Sequence, residues 1–380
     1  MEPLFWILLF LIFYTYLGYP LVLYVKSIFR KCPILTGHIE NYPRVSVVIA
    51  ARNEGKNIER RIRNIMNQDY PKEKLEVIIV SDGSADATDD IVKTIMSETD
   101  RWAKGFLRMH SHKPSFGKPF CINTGIEAAT GDIIVFADCR QRFADNAIKE
   151  LIKDFVDQKV GCVSGELVFE ETPGSSIQSE MGAYWRFEKW LRKLESTTGS
   201  VPGATGAIYA IRKRLFHPLS IETLLDDVLI PMYVCMQGYR TTFNSNAIAY
   251  DMVSRTFDLE KKRKIRTLAG NWQLLILEPA LLNPLKNPLW IRFISHKILR
   301  LVIPYCMITL LFVAFWLKDI LSFLFLAAVA LFFLISVLPP MKGRLRSIST
   351  LSRIFKSIIF LNYFAFLAPL KLALKPRKLW

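Results

Sequence analysis

Val45-Ser46-Val47-Val48-Ile49-Ala50-Ala51-Arg52-Asn53-Glu54 reads as a short β-branched strand that breaks abruptly into a polar turn. The same unit recurs as far as Asp138. Strands are expected at Val45 to Ala51, Leu75 to Ser81, Phe106 to Ser111 and Ile133 to Ala137, with segments of helical period between them near Lys56 to Asn67, Ala87 to Thr99 and Pro119 to Ala129. Strand and helix in strict alternation specify a parallel, doubly wound α/β sheet, whose ligands bind beyond the carboxyl ends of the strands. The unusual polar residues fall at those ends: Arg52, Asn53 and Glu54 after the first strand, Asp82 to Thr88 after the second, Asp138 after the fourth. Carboxylates and a helix start side by side suit a base, a ribose and a diphosphate.

Beyond Asp138 the pattern predicts a strand near Cys162 to Val168, an amphipathic aromatic helix from about Ser175 to Leu194 and a strand from Ala207 to Arg212. A helix opening on Asp226 and Asp227, a strand pair near Thr241 to Tyr250 and a basic helix from Leu259 to Leu277 follow. The ends of the 380-residue chain are different in kind. Pro3 to Val25 is almost wholly apolar and long enough to span a bilayer, with Lys26, Arg30 and Lys31 on its inner flank. Leu299 to Leu338, interrupted at Lys318 and Asp319, reads as a hairpin of two spanning helices, and Lys342, Arg344, Arg346, Arg353 and Lys356 mark a return to the cytosol. Ile358 to Leu374 contains Pro369 and Lys371 and precedes Lys375, Arg377 and Lys378, so an interfacial or re-entrant helix is expected there.

The net charge of +16 sits largely beside these apolar blocks, where lipid headgroups rather than nucleic acid are the partner. Six cysteines without C-x-x-C spacing indicate neither a zinc site nor a redox pair. The chain has no G-x-G-x-x-G or G-x-x-x-x-G-K-[ST] run, which argues against a dinucleotide cofactor or an ATPase loop.

Four features in order and spacing, Val45 to Glu54, Asp82-Gly83-Ser84, Gly117-Lys118 with Asn123-Thr124-Gly125, and Gly131 to Asp138, resemble the inverting family 2 glycosyltransferases over about residues 44 to 275. The flanking apolar layout is similar to the processive branch, the cellulose, hyaluronan and chitin-oligosaccharide synthases. The resemblance implies a GT-A fold, a Rossmann-like mixed sheet with flanking transmembrane helices, in which Ala51, Asn53, Glu54, Asp82, Ser84 and Lys118 hold a UDP-sugar and Asp138 holds Mg2+ or Mn2+. The family's Asp-x-Asp reads Asp138-Cys139-Arg140 here. Asp226 and Asp227 stand where the family carries its base motif; Asp227 is the expected proton acceptor, with Asp226 raising its pKa. The family's Gln-x-x-Arg-Trp is replaced by Arg263-Lys264-Ile265-Arg266-Thr267, whose two arginines share a helix face and can reach a diphosphate. Gly203 and Gly206 match the Gly-rich segment at the acceptor entrance, and Trp185 is a candidate for stacking on a sugar, although its helical spacing favours core packing over that role.

The expectation is therefore a glycosyltransferase of the plasma (inner) membrane with its catalytic domain in the cytosol, extending a saccharide acceptor and coupled to export. The expected division is an anchor at residues 1–30, a GT-A domain at 31–257, basic and interfacial helices at 258–298, a transmembrane hairpin at 299–338 and a basic loop with a last helix at 339–380. Three or so spans are few for a pore, so a homo-oligomer or an export partner would complete the path. Single-sugar transfer to a lipid-linked acceptor and a non-catalytic nucleotide-sugar-binding role are the alternatives.

Overall fold

In the computed structural model, which describes residues 1–35, 37, 39–99, 105–170, 177–252, 257–339 and 346–374, the repeated strand–helix unit becomes one eight-stranded sheet. Its strands are β1 (Val45–Ala51), β2 (Leu75–Asp82), β3 (Leu107–His112), β4 (Ile133–Ala137), β5 (Arg142–Phe143), β6 (Val160–Glu170), β7 (Ile208–Arg212) and β8 (Arg240–Met252). They lie in the order β3-β2-β1-β4-β7-β6-β8-β5. The first four run parallel, with Val45 opposite Leu75 and Ile133, and Val77 opposite Leu107. Their near-continuous apolar character follows from helices on both faces. Val45, Val47, Ile49, Val77 and Val135 pack on the side of the Ile58–Met66 and Thr88–Thr99 helices, while Val48, Ile78, Val80, Ile134 and Phe136 pack with the Lys118–Ala128 helix.

The sheet turns antiparallel at β7, where Ala137 of β4 faces Ile208. That reversal places the start of β7, and the Gly203–Gly206 segment before it, at the edge where β1, β2 and β4 end. The expected strand pair near Thr241 to Tyr250 is instead the single strand β8, irregular in its middle. Its pairing with β6 jumps from Ser164↔Phe243 to Glu166↔Ile248, and the Asn244 side chain accepts from the Asn246 N–H inside the jump. A polar Asn-Ser-Asn run can satisfy its own backbone in this way, so it bulges without ending the strand.

Leu274, Phe293, Ile298 and Leu301 belong to the same apolar core as Val48 and Tyr209, so the Phe257–Leu277 and Trp290–Leu317 helices are packed into the sheet domain itself. Glu2–Phe29, Trp290–Leu317 and Thr350–Ala373 are long and apolar enough to cross a membrane; Ile320–Ser336 is apolar but shorter. The helix expected from Leu299 starts at Trp290 and runs through a π-turn at Ile294–Ile298. Its hairpin turn places Lys318 in the left-handed region (φ 56°), and the Asp319 side chain accepts from Ser322 N at 2.8 Å. The interfacial or re-entrant helix expected at Ile358 to Leu374 is part of one helix, Arg346–Leu374, of 29 residues that passes through Pro369. Ser175 and the basic residues Lys342, Arg344, Lys375, Arg377 and Lys378 lie outside the described residues.

Candidate active site at the carboxyl ends of the parallel strands

The polar turns after β1 and β2 are laced to each other. Asn53 takes a left-handed backbone (φ 54°), which lets its N–H donate to Ser84 Oγ at 3.2 Å while its side-chain oxygen accepts from Ala85 N at 2.8 Å. Glu54 N donates to Thr88 Oγ1 at 2.8 Å, and the Glu54 carboxylate accepts from Asn57 Nδ2 at 2.7 Å. Ala51 is buried, in register with Ser81, whose hydroxyl donates to Ser84 Oγ at 3.0 Å. The two turns thus form one shelf at adjacent strand ends.

Asp82 grips the next loop. Its carboxylate accepts from Ser115 Oγ at 2.6 Å, Phe116 N at 2.7 Å and Gly117 N at 3.0 Å. The Cys121 thiol is a further hydrogen-bond partner of this buried carboxylate. The loop it holds delivers Lys118, the first residue of its helix, to the centre of the site.

Lys118 bridges two acids. Its ammonium lies 3.2 Å from Asp138 Oδ1 and 3.3 Å from Asp226 Oδ1, and Asp226 Oδ2 accepts from the Tyr209 hydroxyl at 3.3 Å. Tyr209 stacks on Phe136 with ring centroids 4.3 Å apart, fixing the hydroxyl beneath the acids. Desolvation in the cleft opposes charge at Asp138, yet Lys118, Arg140 and Arg266 outweigh it and hold its pKa below the ordinary value. Desolvation also opposes charge on Lys118, and the three aspartates override it, so the ammonium stays charged.

Asp227 goes the other way. Desolvation first, then the neighbouring Asp226 carboxylate, push its pKa above the ordinary carboxylate value, and Lys118, Lys297 and Arg192 only partly offset them. The Gly203–Gly206 segment wraps it: Ala204 N donates to the Asp227 carbonyl at 2.7 Å. A Cβ on Gly206 would stand 2.8 Å from Asp227 Oδ2, and Gly203 adopts φ 138°, so both positions exploit the missing side chain.

The remaining expected residues are distributed unevenly. Arg266 lies on the Phe257–Leu277 helix within electrostatic reach of Asp138; Arg263 is one turn earlier, half-buried. That helix is seated by Gly270, whose missing Cβ would meet Leu225 Cγ at 2.5 Å, directly before Asp226. Trp185 packs edge-on against Phe169 at 5.3 Å with the Lys264 ammonium 4.7 Å from its ring centroid, an arrangement that accounts for the ring without a sugar. Tyr209, Arg140, Arg192 and Lys297 join the site without having been singled out in the sequence.

Among the described residues no three His, Cys, Asp or Glu side chains gather as a metal cluster. A cation here would have the Asp138 carboxylate, one third exposed, as its protein ligand and would take its other oxygens from phosphates and water. Magnesium tolerates such a donor set.

Comparison with known proteins gives the family and the fold. The family model described as Glycosyl transferase family 2 matches residues 46–219, and that described as Glycosyl transferase family group 2 matches residues 133–367. The chain is 26% identical over 266 residues to the Probable glycosyltransferase YdaM of Bacillus subtilis, covering 65% of this chain and 60% of that protein. It is 21% identical over 243 residues to the Poly-beta-1,6-N-acetyl-D-glucosamine synthase of Staphylococcus aureus, covering 63% of this chain and 57% of that one. The matched region thus spans about three fifths of the length of these curated relatives. The mannosyltransferase PcManGT from Pyrobaculum calidifontis, in complex with GDP-Man and Mn2+, superposes with a TM-score of 0.69 at 23% identity, over 94% of this chain and 97% of that one. That likeness covers the sheet domain and the apolar helices together, as a shared fold.

Proposed function

Because the chain belongs to glycosyl transferase family group 2, we propose that it moves a sugar, with inversion, from a nucleoside-diphosphate sugar to a hydroxyl of a saccharide acceptor at the cytosolic face of a membrane. The observation that carries this reading is the Lys118 ammonium held between Asp138 and Asp226, with Asp227 beside them, at the carboxyl end of the central strand. A cation that three acids keep charged is placed to meet a diphosphate, and an acid with a raised pKa is placed to take a proton.

In this mechanism Asn53, Glu54, Asp82 and Ser84 receive the nucleoside on the shelf formed by the first two turns, with Ala51 as its floor. Lys118, Arg263 and Arg266 face the diphosphate. Asp227 removes the proton from the acceptor hydroxyl as that oxygen bonds to the anomeric carbon. The bond from that carbon to the diphosphate breaks, and its electron pair leaves with the nucleoside diphosphate. Asp226 keeps Asp227 basic, and Gly203 and Gly206 leave room for the acceptor beside it. Asp138 would hold Mg2+ or Mn2+, which neutralises charge on the leaving group.

A UDP-sugar is the proposed donor class. Since the structurally similar mannosyltransferase is in complex with GDP-Man and Mn2+, GDP-mannose belongs in the same screen. The polysaccharide synthase among the relatives supports extension of a saccharide, with export through the apolar helices of an oligomer or a partner. The proposed division keeps an anchor, a cytosolic GT-A domain ending near residue 257 and a membrane-associated C-terminal part. The test is release of nucleoside diphosphate by the full-length protein, with magnesium or manganese, from a panel of UDP- and GDP-sugars. Turnover that Asp227→Asn reduces by about two to four orders of magnitude supports the reading; no release from any donor sinks it.

A further inference from the structure

Lys118 acts on both Asp138 and Asp227, and the remaining cations around the site fall into two groups. Arg140 and Arg266 act on Asp138, the donor side. Arg192 and Lys297 act on Asp227, the acceptor side, and the donor reading gives them no role. Arg192 donates from its guanidinium to Thr205 Oγ1 at 2.8 Å, inside the loop that wraps Asp227. Lys297 Nζ lies 3.7 Å from the position a Cβ would take on Gly203, in the same loop, and Asp227 O stands 3.5 Å from that position. Both cations are half-buried, and neither has a carboxylate within 4.0 Å among the described residues. The carboxylates nearest in charge to Lys297 besides Asp227 are committed elsewhere. Glu195 accepts from Tyr19 at 2.5 Å and pairs with His296 at 2.9 Å, and Glu188 pairs with His296 at 3.1 Å and with Arg300.

Holding two cations beside one carboxylate, partly out of water and unpaired, is unfavourable unless an anion completes the set. The framework keeps them there all the same. Arg292, five residues before Lys297, donates to Ser200 O at 2.6 Å and to Thr198 O at 2.8 Å, tying the start of the Trp290–Leu317 helix to the turn that leads into Gly203. Arg192 and Lys297 are therefore held beside the Gly203–Gly206 loop where an apolar helix meets the sheet domain.

We propose that Arg192 and Lys297 form a phosphate-binding subsite for the acceptor, which is a saccharide anchored in the membrane through a phosphate or diphosphate linkage to a lipid. This rests on the glycosyl-transfer reading above and assigns the acceptor's chemical class, taking the lipid-linked acceptor in place of a free saccharide extended for export. The phosphate does not react. It is clamped by the two cations so that the sugar hydroxyl next to it meets Asp227, whose carboxylate takes that proton as the new glycosidic bond forms. A charge-assisted clamp of this kind contributes affinity and orientation together.

The experiment uses the full-length protein in nanodiscs of phosphatidylcholine and two synthetic acceptors with the same sugar and the same isoprenoid chain, joined through a diphosphate or through a neutral ether. The wild type should show a KM about tenfold lower for the diphosphate acceptor. Arg192→Gln and Lys297→Gln should each remove most of that preference, and Lys297→Arg should restore it, which separates lost charge from a damaged fold. Equal KM values for the two acceptors in the wild type overturn the proposal while leaving glycosyl transfer standing. So does an equal loss on both acceptors in the Gln variants. A third arm adds phosphatidylglycerol: if it activates transfer to the ether acceptor in the wild type but not in the variants, the pair is a headgroup anchor and the proposal fails. No release of nucleoside diphosphate in any arm removes the parent reading and this one with it.

Discussion

Gly206→Ala tests whether the position of the Asp227 carboxylate limits the reaction. In the structure Asp227 Oδ2 stands 2.8 Å from where the new Cβ would be, with Cγ at 3.3 Å, against 3.4 Å for ordinary van der Waals contact. The carboxylate must retreat by about half an ångström, because Gly206 itself is fixed just ahead of β7. Misplacing a reacting group by about 1 Å can cost a factor of roughly 100, so about tenfold in kcat is expected from half that shift. The fold should change little, since the atoms in the way are the end of one side chain rather than backbone. The assay is nucleoside-diphosphate release at saturating donor, alongside thermal unfolding of the same preparation in detergent. A kcat within about twofold of wild type at unchanged Tm would show that nothing in the rate-limiting step depends on where this carboxylate sits, and Asp227 would lose its role as base.

The other outcomes follow from the same geometry. Asp227 must be ionised to accept a proton, so kcat/KM falls as pH drops through its pKa, which lies above the ordinary 3.8. Asp226→Asn removes a like charge and should move this acid limb to lower pH, whereas Lys118→Met removes a compensating cation and should move it higher; shifts of the opposite sign would refute the assignment. Chelation of divalent cations should abolish turnover, and Asp138→Asn should raise the metal concentration giving half-maximal rate by about tenfold; an unchanged metal titration in the variant would place the cation elsewhere. Gly131→Ala would set a Cβ 2.7 Å from Ser46 N and Oγ and 2.9 Å from Arg44 O, where backbone cannot yield. A destabilisation of about 1–3 kcal/mol, seen as a lower Tm, is expected, and an unchanged Tm would mean that this strand entry relaxes freely.

What could be read in advance was whatever a local pattern encodes. The β1 run declared itself because a strand covered on both faces needs Val45, Val47 and Ile49 for one side and Val48 for the other, and a polar break at a strand end is visible without a partner. Asp82, Asp138 and the Asp226-Asp227 pair were found for the same reason, each opening or closing an element. The roles of Lys118 and Tyr209 as direct neighbours of Asp226 were not readable in this way. They arise from the reversal at β7, which sets Tyr209 beneath Asp226, and from the meeting of Lys118 with Asp226 across about a hundred residues of chain, which no spacing records.

The C-terminal helix runs on where its local sequence suggests a break. Pro369 and Lys371 argue locally against a continuous span, yet Phe364, Ala365 and Ala368 are buried against neighbouring elements, and packing carries the helix through the proline. Arg192 and Lys297 were least legible of all. One lies on an amphipathic helix and the other at the mouth of an apolar one, where a lone basic residue is ordinarily a headgroup contact. Only the closure of the Gly203–Gly206 loop, which touches Arg192 through Thr205 and approaches Lys297 at Gly203, turns two ordinary membrane-proximal cations into a pair aimed at one acid. Two cations beside one acid, as the proposed acceptor subsite has them, are a statement about substrate that neither residue makes alone.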